Sequence, residues 1–167
     1  MKAVIDTNVW LDWLVFDDPA ARPIAAAAGL GRLRLLATRA SRAELASVLA
    51  RPIFGLDAAA TAAALHRHDA HVRLVDPPPD ADTLPARLPL CRDPDDQKFV
   101  ELAIAARADF LVSRDKALLK LARPARRWHG LAIVHPESPS WQETLAAAAA
   151  AATTNPIIAL STTGPFR

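Results

Sequence analysis

The chain is poor in cysteine, has no long apolar run and carries no dominant charge, and each shortage closes off a class of protein. A single cysteine, Cys91, in 167 residues has no partner for an internal disulfide and excludes a zinc site built on thiolates. No stretch approaches the ~20 apolar residues that a membrane helix requires. At the opening, one Lys2 precedes only three apolar residues, so no secretory leader is expected and the expected location is cytoplasmic. No internal repeat is visible. What remains is a globular chain, 51% apolar and 23% charged, of a length that favours one domain. The net charge of +2 says little, but 16 of the 20 basic residues are arginines, whose planar fork suits phosphate. Scattered solvated arginines and a phosphate-binding surface both fit that composition.

The stretch Met1–Trp10 organises the rest. A short apolar run delivers one carboxylate, Asp6. Thr7 and Asn8 can then cap a helix whose apolar face is Val9, Trp10, Leu11, Trp13 and Leu14. Further on, Pro19 can start a helix reaching Gly29, and Leu33–Ala37 reads as a second strand. Thr38–Arg51 has helical spacing, with Ser41 and Glu44 placed as a capping box. Asp57–Asp69 reads as a helix, its polar end carrying His66 and His68 with His71 beyond, all expected on a solvated face. Val72–Val75 is a candidate strand, and Pro77–Pro79 begin a connector ending near Arg92.

Asp93 and Pro94 are the strongest helix start in the chain, a cap followed by proline at the first helical position. The predicted helix runs towards Ala108. Phe110–Val112 is a very short strand, Asp115 can cap a helix carrying Leu118, Leu119 and Leu121, Leu131–Val134 is a last strand, and Ser138–Ala152 a last helix. Strands alternate with helices, which predicts an α/β fold: a three-layer α/β/α sandwich around a parallel sheet of about five strands. The expected domain covers residues 1–152, followed by a loosely held tail, 153–167.

Topology gives four acids a reason to meet. Asp6 and Asp115 lie just past strand ends, which a parallel sheet gathers on one edge. Asp96 and Glu44 lie near the starts of helices that begin at that edge. Each has an ordinary local role as a cap or a first-turn acid. Together, though, carboxylates ~4 Å apart would repel by about 4 kcal/mol at an effective dielectric of 20. A cation relieves that repulsion, and an all-oxygen site suits Mg²⁺ or Mn²⁺.

Four segments, Val4-Ile5-Asp6-Thr7-Asn8, Ser41-Arg42-Ala43-Glu44-Leu45, Arg92–Phe99 and Phe110–Asp115, occur in an order and spacing that resembles the PIN-domain family. The likeness spans roughly Met1 to Val134 and is strongest to the bacterial VapC-like branch, the toxin components of toxin–antitoxin pairs. The resemblance implies a Mg²⁺- or Mn²⁺-dependent endoribonuclease whose acidic residues are Asp6, Glu44, Asp96 and Asp115. The family's register selects Asp96 over Asp95. Asn8 and Ser113 match polar positions that orient the acids, Ser113 standing where threonine is commoner. Further expectations are an RNA-binding rim from Arg39, Arg42, Arg92, Arg114 and Lys116, a small antitoxin partner, and a homodimer. Two rival readings stay open: a phosphohydrolase with Asp6 as nucleophile, and a non-catalytic module that binds RNA or protein.

Overall fold

A computed structural model of the chain describes residues 1–75 and 84–151. The first part of the proline-rich connector, residues 77–83, and the whole expected tail lie outside the described residues. The elements are β1 (Lys2–Ile5), α1 (Thr7–Leu14), α2 (Arg22–Gly29), β2 (Arg34–Ala37), α3 (Arg39–Leu49), α4 (Ala58–His71), β3 (Val72–Leu74), α5 (Gln97–Ala105), β4 (Phe110–Val112), α6 (Lys116–Leu119), α7 (Ala122–His129), β5 (Ala132–Val134) and α8 (Pro139–Ala150), with a 3-10 turn at Pro52–Phe54. The five strands form one sheet in the order β3-β2-β1-β4-β5, every pairing parallel. The α/β sandwich expected from the alternation of strands and helices is what the chain forms.

Strand geometry explains the two cores. Side chains alternate across a sheet, so each short strand feeds both faces. Val4 pairs in register with Leu36 and Leu111, and Leu111 with Ile133. That row packs with Phe99, Val100 and Ala103 of α5 and with Leu118 and Ala125. Ala3, Ile5, Leu35 and Val112 turn to the other face and meet Val9 and Trp10 of α1, Leu45 and Leu49 of α3, and Trp141 of α8. A sheet covered on both faces needs strands that are apolar throughout, and VI, LL and LV supply them.

Three local expectations are corrected. The cap of α3 is Thr38, whose hydroxyl accepts from the Ser41 N–H at 3.1 Å while the Ser41 hydroxyl accepts from the Thr38 N–H at 2.9 Å. The capping box is therefore Thr38–Ser41, not Ser41–Glu44. Second, α5 begins at Gln97: residues 93–96 form tight turns, with N–H groups reaching carbonyls three residues back (Asp96 to Asp93, Gln97 to Pro94, each 3.3 Å). Third, His68 is buried, 1% exposed, its ring 4.5 Å from that of Trp10 and its Nδ1 3.0 Å from Asp69. A helix face that reads as polar in sequence thus turns one imidazole inward. Burial pushes the His68 pKa down, against the upward pull of Asp69.

Candidate active site

The chain leaves β1 and turns outward in one direction to β2 and β3, and in the other to β4 and β5. The gap past the carboxyl ends of β1 and β4 is the place where such sheets take ligands. Asp6 stands there, 2% exposed, as the cap of α1. Its Oδ1 accepts from the Val9 N–H at 3.0 Å, and its Oδ2 accepts from the Ser113 hydroxyl. Burial pushes the Asp6 carboxyl up to about 6, against the lowering effect of the Ser113 and Val9 hydrogen bonds, and the negative charge of Asp96 adds to the rise. Ser113 also accepts from the Asp115 N–H at 2.8 Å. One buried hydroxyl therefore ties the acid after β1 to the acid after β4.

Asp115 caps α6, its Oδ1 accepting from Ala117 at 2.6 Å and Leu118 at 3.1 Å, which leaves its second oxygen uncommitted. Glu44 is released by the Thr38–Ser41 box and turns to the cavity. There its Oε1 accepts from the Thr7 hydroxyl at 2.7 Å and its Oε2 pairs with Lys98. Lys98 also donates to the Asp95 carbonyl, so one ammonium pins the 93–96 turns to α3. Gln97 holds the incoming chain, accepting from the Cys91 N–H at 2.7 Å. Asp96 sits at the start of α5 but makes no capping bond. Its pKa is raised, first by burial and then by the charges of Asp115 and Asp93, with Lys98 opposing and Glu44 adding.

Asp6, Asn8, Glu44 and Asp96 share one cavity of about 430 Å³, with Asp93 and Arg51 on its wall. Asp115 lines an adjoining one of about 370 Å³ with Arg92, and Asp93 borders both. Volume does not single this place out: cavities of about 470 Å³ lie by His129 and between α2 and α8. The chemistry does, because carboxyl groups from four separate elements influence one another here. The donor set, all oxygen and mutually repelling, is of the kind that takes a hard divalent ion. Among the described residues, no three such side chains are already gathered closely enough to hold an ion.

The predicted rim is divided. Arg92 borders the site and Lys116 opens α6 next to Asp115. Arg39 opens α3. Arg42 is engaged by Asp69 through both carboxylate oxygens, at 2.7 and 2.6 Å, and Arg114 pairs with Asp12, Asp18 and Glu137. Asn8 lines the cavity, but its side chain donates to no carboxylate among the described residues. Lys98 and Arg51 carried no signal as isolated residues, and Thr7, expected with Asn8 as a cap, is instead the first residue of α1, which Asp6 caps. Their placement depends on helix phase and on which cap the chain selects.

Residues 2–117 match the PIN domain family, more than half of the chain. The protein is a PIN-domain protein. No curated protein and no solved structure matches it. The matched span runs from β1 into α6 and so holds all four acids. PIN domains are typically metal-dependent ribonucleases, and this one has a nuclease fold.

Proposed function

We propose that this PIN domain is an endoribonuclease that hydrolyses RNA phosphodiester bonds with Mg²⁺ or Mn²⁺, and that it is the VapC-like toxin of a toxin–antitoxin pair. The observation that carries the catalytic reading is Asp96. Its carboxylate receives no hydrogen bond from the described residues, and it stands within electrostatic reach of Asp6, Glu44 and Asp115. A carboxylate so placed gains by sharing a cation with its neighbours.

Asp6, Asp96 and Asp115 would hold the ion and Glu44 would complete the shell. When bound, the ion lowers the pKa of an attacking water and stabilises charge at phosphorus. The chain's own residues do the rest. Ser113 fixes the plane of the Asp6 carboxylate and, through the Asp115 N–H, the start of α6. Thr7 and Lys98 hold Glu44 at the cavity wall. Arg92 and Arg51 provide positive charge beside acids that would otherwise repel a phosphate. A nucleophilic role for Asp6 fits less well, because both its oxygens accept hydrogen bonds in a buried position.

Asp6→Asn is expected to reduce cleavage of total RNA by at least a hundredfold, with the circular dichroism of the fold retained. Excess chelator should stop the wild-type reaction, and added Mn²⁺ or Mg²⁺ should restore it. Undiminished cleavage in chelator, or by Asp6→Asn, would remove the proposal. The toxin role rests on the family likeness. It predicts a short neighbouring reading frame whose product binds the homodimer and inhibits cleavage.

A further inference from the structure

Beside the carboxylate cavity the surface changes from charged to aromatic. Phe54, in the 3-10 turn after α3, lines the cavity with Asp6, Glu44 and Asp96. Phe16, just past α1, lies against it with ring centroids 6.0 Å apart and the planes tilted by 58°. Phe16 is 60% exposed and the neighbouring Ile53 84%. Burial does not account for side chains of that size held in water. The guanidinium of the cavity's own Arg51, one residue before the turn, makes no ion pair or hydrogen bond among the described residues. The acids closest to Phe16 in sequence do not repel an anion at full strength: Asp17 is paired with Arg22 and Asp18 with Arg114.

A cavity lined by Phe54, by the unpaired guanidinium of Arg51 and by the proposed carboxylate centre, with Phe16 against Phe54 at its edge, offers partners for the base and the phosphate of a nucleotide. We infer that Phe16 and Phe54 form a base-stacking subsite, which takes an unpaired nucleobase next to the cleaved linkage while Arg51 takes the flanking phosphate. The inference rests on the nuclease reading for the position of the cleaved bond. It does not need it for the stacking itself, since a π-face accepts a base whether or not the acids cut. A base in a duplex has both faces covered and cannot use the shelf.

The test uses the full chain, a labelled mixed-sequence single-stranded RNA 12-mer, and the same sequence as a duplex. Phe16→Ala should weaken single-strand binding about tenfold, Phe16→Trp should retain it, and duplex binding should move with neither. With 4-thiouridine in the strand, photocrosslinks should map to Phe16 or Phe54. Phe16 is exposed, so its variants are expected to fold, and thermal unfolding checks this. Unchanged single-strand affinity in Phe16→Ala overturns the subsite, and if wild-type cleavage persists the nuclease reading stands without it. Stacking by a protein that cuts no RNA leaves the subsite and removes the nuclease. A change in self-association alone, measured by sedimentation, assigns the rings to a second copy of the chain and also overturns the proposal.

Discussion

At the scale of single residues, the unusual group is Asp6, a carboxyl nearly shut off from water whose pKa is pushed up to about 6. A carboxyl that holds its proton more tightly folded than unfolded stabilises the fold while protonated. That contribution is complete below the unfolded value near 4 and is lost as pH rises through 6. Above that, ionised Asp6 costs on the order of 3 kcal/mol. Asp6→Asn, which keeps the shape and cannot ionise, should therefore raise the unfolding midpoint at pH 8 in chelator and leave it nearly unchanged at pH 4. Calorimetry at the two pH values decides this. A variant no more stable than the wild type at pH 8 would mean that the buried charge is already compensated. The four acids themselves were legible from their positions at strand ends and helix starts. The partners that fix them were not: Lys98 and Thr7 reach Glu44 only because the chain prefers Thr38 and Ser41 for its cap.

Among elements, the joints matter more than the helices. Arg114 follows β4 and clamps the site's edge to α1 through Asp12 at 2.5 Å, to the α1–α2 turn through Asp18 at 3.1 Å, and to the approach to α8 through Glu137 at 2.8 Å. Its neighbours Ser113 and Asp115 belong to the candidate centre, so the clamp sets where they stand. Arg114→Met would leave Asp12, whose side chain is only 14% exposed, without its cation. We expect a loss of about 2 kcal/mol, less than for a fully buried pair because Arg114 and Glu137 are partly solvated. Urea denaturation measures it, and a change below ~0.5 kcal/mol would show that water replaces the guanidinium. The sequence pattern gave no hint of α7: the run Arg123-Pro124-Ala125-Arg126-Arg127 buries Ala125 alone and has no apolar stripe to read. It likewise placed the start of α5 at Asp93, because a cap followed by proline is also how a tight turn begins. The difference has a chemical consequence, since the turns leave Asp96 without an N–H to cap.

Across the whole molecule, the parallel sheet of about five strands was accessible because short, mostly apolar strands alternate with helices, but the strand order was not read from the sequence. That order puts the acids on elements distant in sequence: Asp6 after β1, Glu44 in α3, Asp96 before α5 and Asp115 after β4. Their repulsion is a strain on the folded state alone, because unfolding separates them. An ion that binds them should therefore stabilise the entire domain by linkage, about 2.7 kcal/mol at a hundred times its Kd. For a chain of this length the unfolding temperature should rise by roughly 5–10 °C. The rise should be larger at pH 8 than at pH 5, since Asp6 and Asp96, both with raised pKa values, must give up protons before they can bind. Scanning calorimetry with Mn²⁺ against matched NaCl tests this without any substrate, and Asp96→Asn should lose most of the shift. Equal midpoints in Mn²⁺ and NaCl at pH 8 would mean that the four carboxylates tolerate one another unaided, and the case for a shared cation would go with them.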